Sequence, residues 1–217
     1  MEKTTPVELV IYTDPLCCWS FVMEEPIEAF RQHLGPGINV RYCMGGLLPS
    51  WKQFHDPVQM VSKPIQMGPV WHEASIISGV PLNDKIWFTD PPSSSYTACM
   101  AVKAAGFQSF EAEILMLKAL RKAVMVEGFN ISKLPAIIQV AKKIQEQYAL
   151  FDLQQFEADI QDQKTIEAFR KDLEEIAVKG ITRFPSILVR FDNGRSSMIS
   201  GFRKLEELVS CTHQPIN

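Results

Sequence analysis

The sequence predicts an α/β protein in which a β-α-β opening and an α-β-β-α close are separated by an all-helical insertion. Three observations carry that prediction. An apolar strand is followed within about 40 residues by a helix and a second strand. A long middle section repeats its apolar residues at helical spacing, and a proline-led apolar run near the end turns back on itself at Asp192-Asn193-Gly194.

Glu8 to Tyr12 is a short β-branched run that stops at Thr13-Asp14-Pro15, as a buried strand does on meeting a loop. From Trp19 to Leu34 the residues Trp19, Val22, Met23, Ile27, Phe30 and Leu34 fall at helical spacing, and Gly35-Pro36-Gly37 terminates the helix. Pro26 lies inside that pattern and predicts a kink. Ile38 to Met44 places Ile38, Val40 and Tyr42 on one side of a second strand, which Gly45-Gly46 ends. Strands so joined pair in parallel, because a crossover helix carries the chain back to the same end of the sheet.

Trp51 to Ser95 is rich in proline, glycine, serine and aromatics without a sustained period, and reads as loops and short helices. Helices are predicted over Tyr96 to Gly106, Phe110 to Val126 and Ser132 to Tyr148, the last two as an antiparallel pair. Small pieces at Phe151 to Gln155 and Phe156 to Gln163 lead to a helix from Thr165 to Lys179, closed by Gly180 at the cap position. Phe184 to Phe191 and Ser196 to Ile199 then form a hairpin, followed by a short helix from Lys204 to Ser210 and an irregular tail. The expected division is a sheet-bearing domain from residues 1–50 and 165–217, and a helical insert over 51–164. No internal repeat is present.

Net charge −3 and a hydrophobic share of 46% describe an ordinary globular protein with no electrostatic case for nucleic acid. The start, Met1 to Glu8, is polar, and the apolar run after it is too short for an export signal, so a cytoplasmic location is expected. No apolar stretch suits a membrane span. Five cysteines at 17, 18, 43, 99 and 211, with four scattered histidines, show neither a disulfide framework nor metal-site rhythm; no metal is expected.

The segment Asp14-Pro15-Leu16-Cys17-Cys18-Trp19-Ser20-Phe21 places a cysteine between a strand and the first turn of a helix. Unpaired amide N–H groups and the positive helix end favour a thiolate there, which predicts a lowered Cys17 pKa and raised reactivity. Ser20, three residues on, can approach the same sulfur. It stands where a Cys-X-X-Cys enzyme carries its resolving thiol. On the residues alone, Cys17 and Cys18 read equally well as small core side chains at a helix start. Pro185, opening a strand after a long helix, reads either as a cis proline lying beside Cys17 or as a plain strand-opening proline. The cluster of Trp51, Phe54, Met60, Met67, Trp71, Trp87 and Phe88 is expected mainly to pack a core rather than line a groove.

Taken together, Asp14-Pro15-Leu16-Cys17 after a first strand, an inserted helical region, and Gly180-Ile181-Thr182-Arg183-Phe184-Pro185-Ser186 before the last hairpin resemble the DsbA-like thioredoxin-fold proteins, especially the FrnE-like and predicted protein-disulfide-isomerase branches. Gly45-Gly46-Leu47 with Pro49, Pro92-Ser93-Ser94 to Ala105, and Val126-Glu127-Gly128 extend the resemblance over nearly the whole chain. It implies a thioredoxin fold, with Cys17 as nucleophile, Pro185 as cis proline and Ser20 in the second cysteine's place as the catalytic group. Cys18, Trp19 and Phe184 are the implied substrate contacts. The implied activity is thiol-disulfide exchange or disulfide isomerisation through mixed disulfides with protein or small-molecule thiols. No tightly bound cofactor is implied, with glutathione as a co-substrate. Two alternatives follow from relatives of the fold: a glutathione-dependent transferase or isomerase of the kappa and 2-hydroxychromene-2-carboxylate isomerase type, and a non-catalytic YjbH-like adaptor. Homodimerisation is left open.

Overall fold

The computed structural model describes residues 5–56 and 58–213. The polar start Met1 to Thr4 and the end of the irregular tail lie outside the described residues. Strand β1 (Pro6–Thr13) lies inside a four-stranded sheet of order β2-β1-β3-β4, with β2 (Asn39–Met44), β3 (Ser186–Phe191) and β4 (Ser196–Ser200). β1 and β2 pair in parallel from Glu8 opposite Asn39 to Thr13 opposite Met44, as a βαβ unit requires. β3 pairs antiparallel with β1 and with β4.

The continuous apolar run of β1 is explained by burial on both faces. Leu9 and Ile11 point one way, onto Met23 just ahead of α2 (Glu24–Leu34), onto Ile27 and Phe30 of α2, and onto Leu208 of α10 (Leu205–His213). Val10 and Tyr12 point the other way, onto Ile176 of α9 (Gln163–Val178). Side chains two apart share a face, so one strand feeds two cores.

Between β2 and α9 lie α3 (Met67–Ser78), α4 (Ile86–Thr89), α5 (Tyr96–Gly106), α6 (Phe110–Met125), α7 (Leu134–Gln147) and α8 (Leu153–Asp159). Their core includes Ala101, Val102, Leu117, Leu120 and Ile137, and it continues without a break to Leu16, Cys18, Met44 and Leu48. Side-chain oxygens of Ser109, Asp152 and Asp162 cap α6, α8 and α9, satisfying amides that a helix start leaves open. Gly180, at φ 62°, follows α9 in the left-handed conformation that favours glycine.

Four details depart from expectation. The first helix breaks at Met23, giving α1 (Cys18–Val22) and α2, rather than kinking at Pro26. Pro26 has no N–H to bond the carbonyl of Val22 and its ring crowds that carbonyl, so the damage falls one turn upstream. The stretch expected to hold only loops and short helices contains the twelve-residue α3. It is apolar on nearly all sides, which erases the period, and Pro69 is tolerated because it sits in the first turn. The two pieces after Phe151 form one helix, α8. β3 begins at Ser186 rather than Phe184, since Pro185 has no N–H for the ladder.

Candidate functional site

Asp14 organises the loop that presents Cys17. Its Oδ1 accepts the Leu16 amide at 2.8 Å and its carbonyl accepts the Cys17 amide at 3.1 Å, a tight turn that delivers Cys17 to the N-cap of α1. Asp14 Oδ2 accepts the Leu47 amide at 2.7 Å, the Ser95 hydroxyl at 2.9 Å and the Cys99 thiol at 3.3 Å. The carboxyl is wholly buried, and burial pushes its pKa up against the pull of those donors. Arg121 of α6, also buried, donates to Thr13 Oγ1, to the Asp14 carbonyl at 3.4 Å and to Glu24 Oε1 at 2.9 Å. Strand end, helix start and helical layer therefore meet in one polar cluster beneath Cys17.

Above it lies the Phe184–Pro185 junction, whose peptide bond is cis. The Cys17 thiol donates to the Phe184 carbonyl at 3.4 Å, although the two residues are far apart in sequence. The Phe184 ring rests on Gly45, where an added Cβ would lie 2.5 Å from a ring carbon. The Pro185 carbonyl accepts the Gly201 amide at 2.9 Å, which draws the loop after β4 to the same place. Trp19 is half-buried, with its ring 6.0 Å from that of Phe202.

Cys17, Ser20, Phe184, Pro185 and Trp19 thus come together, but two expectations need correction. Cys17 is only 5% exposed, and burial pushes its thiol up rather than down. The Ser20 hydroxyl and amide act in the opposite direction, the nearby Asp14 adds to the rise, and Arg121 opposes it. The reason is local: α1 is five residues long and broken at Met23, so little macrodipole is aimed at the sulfur and desolvation prevails. Cys18 is not at the surface. Its side chain, 2% exposed, turns into the helical core, where burial raises its pKa well above the ordinary thiol value. Ser20 is buried, and its Oγ meets no partner of full hydrogen-bond geometry.

The aromatic cluster divides. Trp71 and Trp87 are buried and packed edge to face, 5.2 Å between centroids, whereas Phe88 and Met60 are exposed. All five cysteines are free thiols. Among the described residues, no group of three or more His, Cys, Asp or Glu is placed to hold a metal ion, and no helix is long and apolar enough to cross a membrane.

Sequence reasoning quoted Asp14 only as loop and motif and Cys99 only as a scattered thiol, and gave no role to Ser95 or Arg121. Arg121 left a signal of its own: it lies four residues after Leu117 and three before Val124, on the apolar face of α6. A charge placed there is buried and must have partners.

A β-α-β and α-β-β-α frame, a helical insertion and a helix-start cysteine against a cis-proline loop define the DsbA-like class of thioredoxin-fold proteins. The chain belongs to the thioredoxin family, whose model, described as Thioredoxin, matches residues 10–210. It is 27% identical over 195 residues to the ClpXP adapter protein SpxH of Halalkalibacterium halodurans, an alignment covering 88% of this chain and 61% of that protein. The chain therefore spans about three fifths of that relative's length. Among solved structures, a candidate protein disulfide isomerase from Nitrosomonas europaea superposes with a TM-score of 0.76 at 20% identity, covering 96% of both chains. The cytosolic disulfide reductase DsbM from Pseudomonas aeruginosa, also solved with GSH, gives 0.67 at 19% identity over 89% of both. At those identities the structural likeness speaks to the fold alone.

Proposed function

We propose that this chain is a protein-binding adaptor built on a DsbA-like frame, holding a partner at the Cys17 and Phe184–Pro185 surface without dithiol turnover. One observation carries the reading: the Cys17 thiol is buried and spends its proton on the Phe184 carbonyl, while the position that would resolve a mixed disulfide holds the hydroxyl of Ser20. A thiolate, not a thiol, attacks a disulfide, and a hydroxyl cannot complete the second exchange. Resemblance to a ClpXP adapter over most of this chain supports the same reading. In it, residues 1–50 and 165–217 form the binding unit, with 51–164 as a helical insert. The half-buried Trp19 and Phe184 provide contact surface, with Pro185, Cys17 and Ser20 buried beneath them. The location is the cytoplasm, the kind of compartment in which five free thiols persist.

The test pairs two assays on the full chain and its Cys17→Ser variant: binding to purified ClpXP by calorimetry, and glutathione-driven reduction of insulin. The expected result is saturable binding by both proteins and no turnover by either. Turnover by the parent that Cys17→Ser abolishes overturns the proposal.

A second reading, monothiol exchange with glutathione, is favoured by the Ser20 hydroxyl and amide, which stabilise a Cys17 thiolate against burial. A protein disulfide would be opened by Cys17, releasing one protein thiol; a first glutathione would displace the second protein thiol and leave a Cys17–glutathione disulfide, and a second would free the Cys17 thiol, the two glutathiones departing joined as oxidised glutathione. Such chemistry requires the Cys17–Phe184 contact to open first.

A further inference from the structure

The chain is acidic overall, yet the two loops that meet at Pro185 are basic. Residues 179–185 carry Lys179 and Arg183, residues 201–204 carry Arg203 and Lys204, and neither segment contains an acidic side chain. Lys179, Arg183 and Lys204 are exposed and Arg203 is half-buried. None of the four side chains belongs to an ion pair among the described residues, although twelve such pairs occur elsewhere. The Arg203 guanidinium reaches only the Phe202 carbonyl, at 2.8 Å. On the adjoining α10, Glu207 is engaged with the Lys204 amide at 2.8 Å.

Half-buried aromatic rings accompany these loops: those of Trp19 and Phe202 stand 6.0 Å apart at 52°, and that of Phe184 rests on Gly45. The Phe184 carbonyl is taken by Cys17, but its amide N–H has no partner among the described residues. A free amide and half-buried aromatic rings on loops that carry cations outside any ion pair match an extended peptide better than a globular face: its backbone carbonyl would meet the amide, an apolar side chain the rings and its carboxylates the arginines.

We infer that Arg183 and Arg203 select the partner: the surface takes an extended acidic segment in which an apolar or aromatic residue is flanked by carboxylates. The inference rests on the adaptor reading and names the chemistry of its client. Two solvent-facing pairs of this kind give about three- to tenfold discrimination, weakened by salt.

The probe is a fluorescein-labelled octapeptide, Gly-Ser-Glu-Phe-Val-Glu-Ser-Gly, with counterparts carrying glutamine or lysine in place of both glutamates. Anisotropy titrations on the full chain at low and high salt should rank the acidic peptide first, by about three- to tenfold over the glutamine version at low salt. Arg183→Gln with Arg203→Gln should erase that preference while leaving thermal stability unchanged, because neither side chain holds the fold together. Trp19→Leu should weaken all three peptides alike. Equal affinities across the series, no binding at all, retained preference in the double variant, or glutathione binding in place of every peptide each overturn the inference. The adaptor reading falls separately, on Cys17-dependent insulin turnover.

Discussion

Replacing Gly45 by alanine should both loosen the fold and uncover Cys17. Gly45 lies just past β2, where its amide bonds the Thr13 carbonyl at 2.6 Å, and its backbone is not in the left-handed region, so space alone decides the outcome. The new Cβ would meet three Phe184 ring carbons at 2.5, 2.7 and 2.8 Å, against an ordinary contact of 3.4 Å or more. The ring must therefore retreat by about 1 Å, an overpacking cost of about 1–2 kcal/mol because its outer side is open to solvent. In a chain of this size that is a fall of about 2–8 °C in Tm. The carbonyl that accepts the Cys17 thiol belongs to the same residue, so moving the ring weakens that contact. Iodoacetamide labelling of Cys17, followed by peptide mass spectrometry, should accelerate in Gly45→Ala relative to the parent. Gly37→Ala, whose added Cβ meets nothing within 4 Å, serves as control and should change neither quantity. An unchanged Tm, or a loss of stability with Cys17 labelled at the parent rate, would refute the reasoning.

Arg121→Met removes the cation from Glu24 and Thr13 and should cost about 3 kcal/mol, seen as a lower urea midpoint at constant slope; a shift below about 0.5 kcal/mol would deny the cluster its structural role. Glu175 is partly buried, which works against its charge, but hydrogen bonds from Arg41 at 2.6 Å and Tyr12 at 2.6 Å hold its pKa below the usual carboxylate value. A lowered folded pKa gives stability that is present above the unfolded value of about 4.3 and lost as pH falls through the folded one. Glu175→Gln should therefore be less stable than the parent at neutral pH and converge with it in acid; a pH-independent gap in urea melts would contradict the assignment. Ser20→Cys should let the introduced thiol form a disulfide with Cys17 and confer insulin-reducing activity absent from the parent. Failure to form that disulfide under mild oxidation would place Ser20 outside the resolving position.

Much of the frame was legible because its signals are local. β1, α5, α6, the cap at Gly180 and the final hairpin follow from apolar period, turn chemistry and glycine position, each read over a few residues. The elements misread are those where locality fails. The apolar residues of α3 surround the helix, so no face announces itself, and the break before α2 is displaced from the proline that causes it. At the site, the pairing of Cys17 with Phe184–Pro185 was reached only by matching element order to a known family. Asp14 was seen as loop punctuation, yet it accepts from Leu16, Leu47, Ser95 and Cys99 at once.

The order of strands and helices, the helix-start cysteine, the serine three residues on and the proline before the last hairpin are properties of the chain, determined as soon as its letters are written. Whether that cysteine is acidic or inert is not, because a thiol's proton affinity depends on how much water and charge surround it. Only the folded molecule brings a carbonyl from the Phe184–Pro185 loop onto that sulfur, buries it near the Asp14 carboxyl and the Arg121 guanidinium, and turns its neighbour Cys18 inward. Desolvation and Coulomb forces act through space, and only the tertiary structure sets those distances.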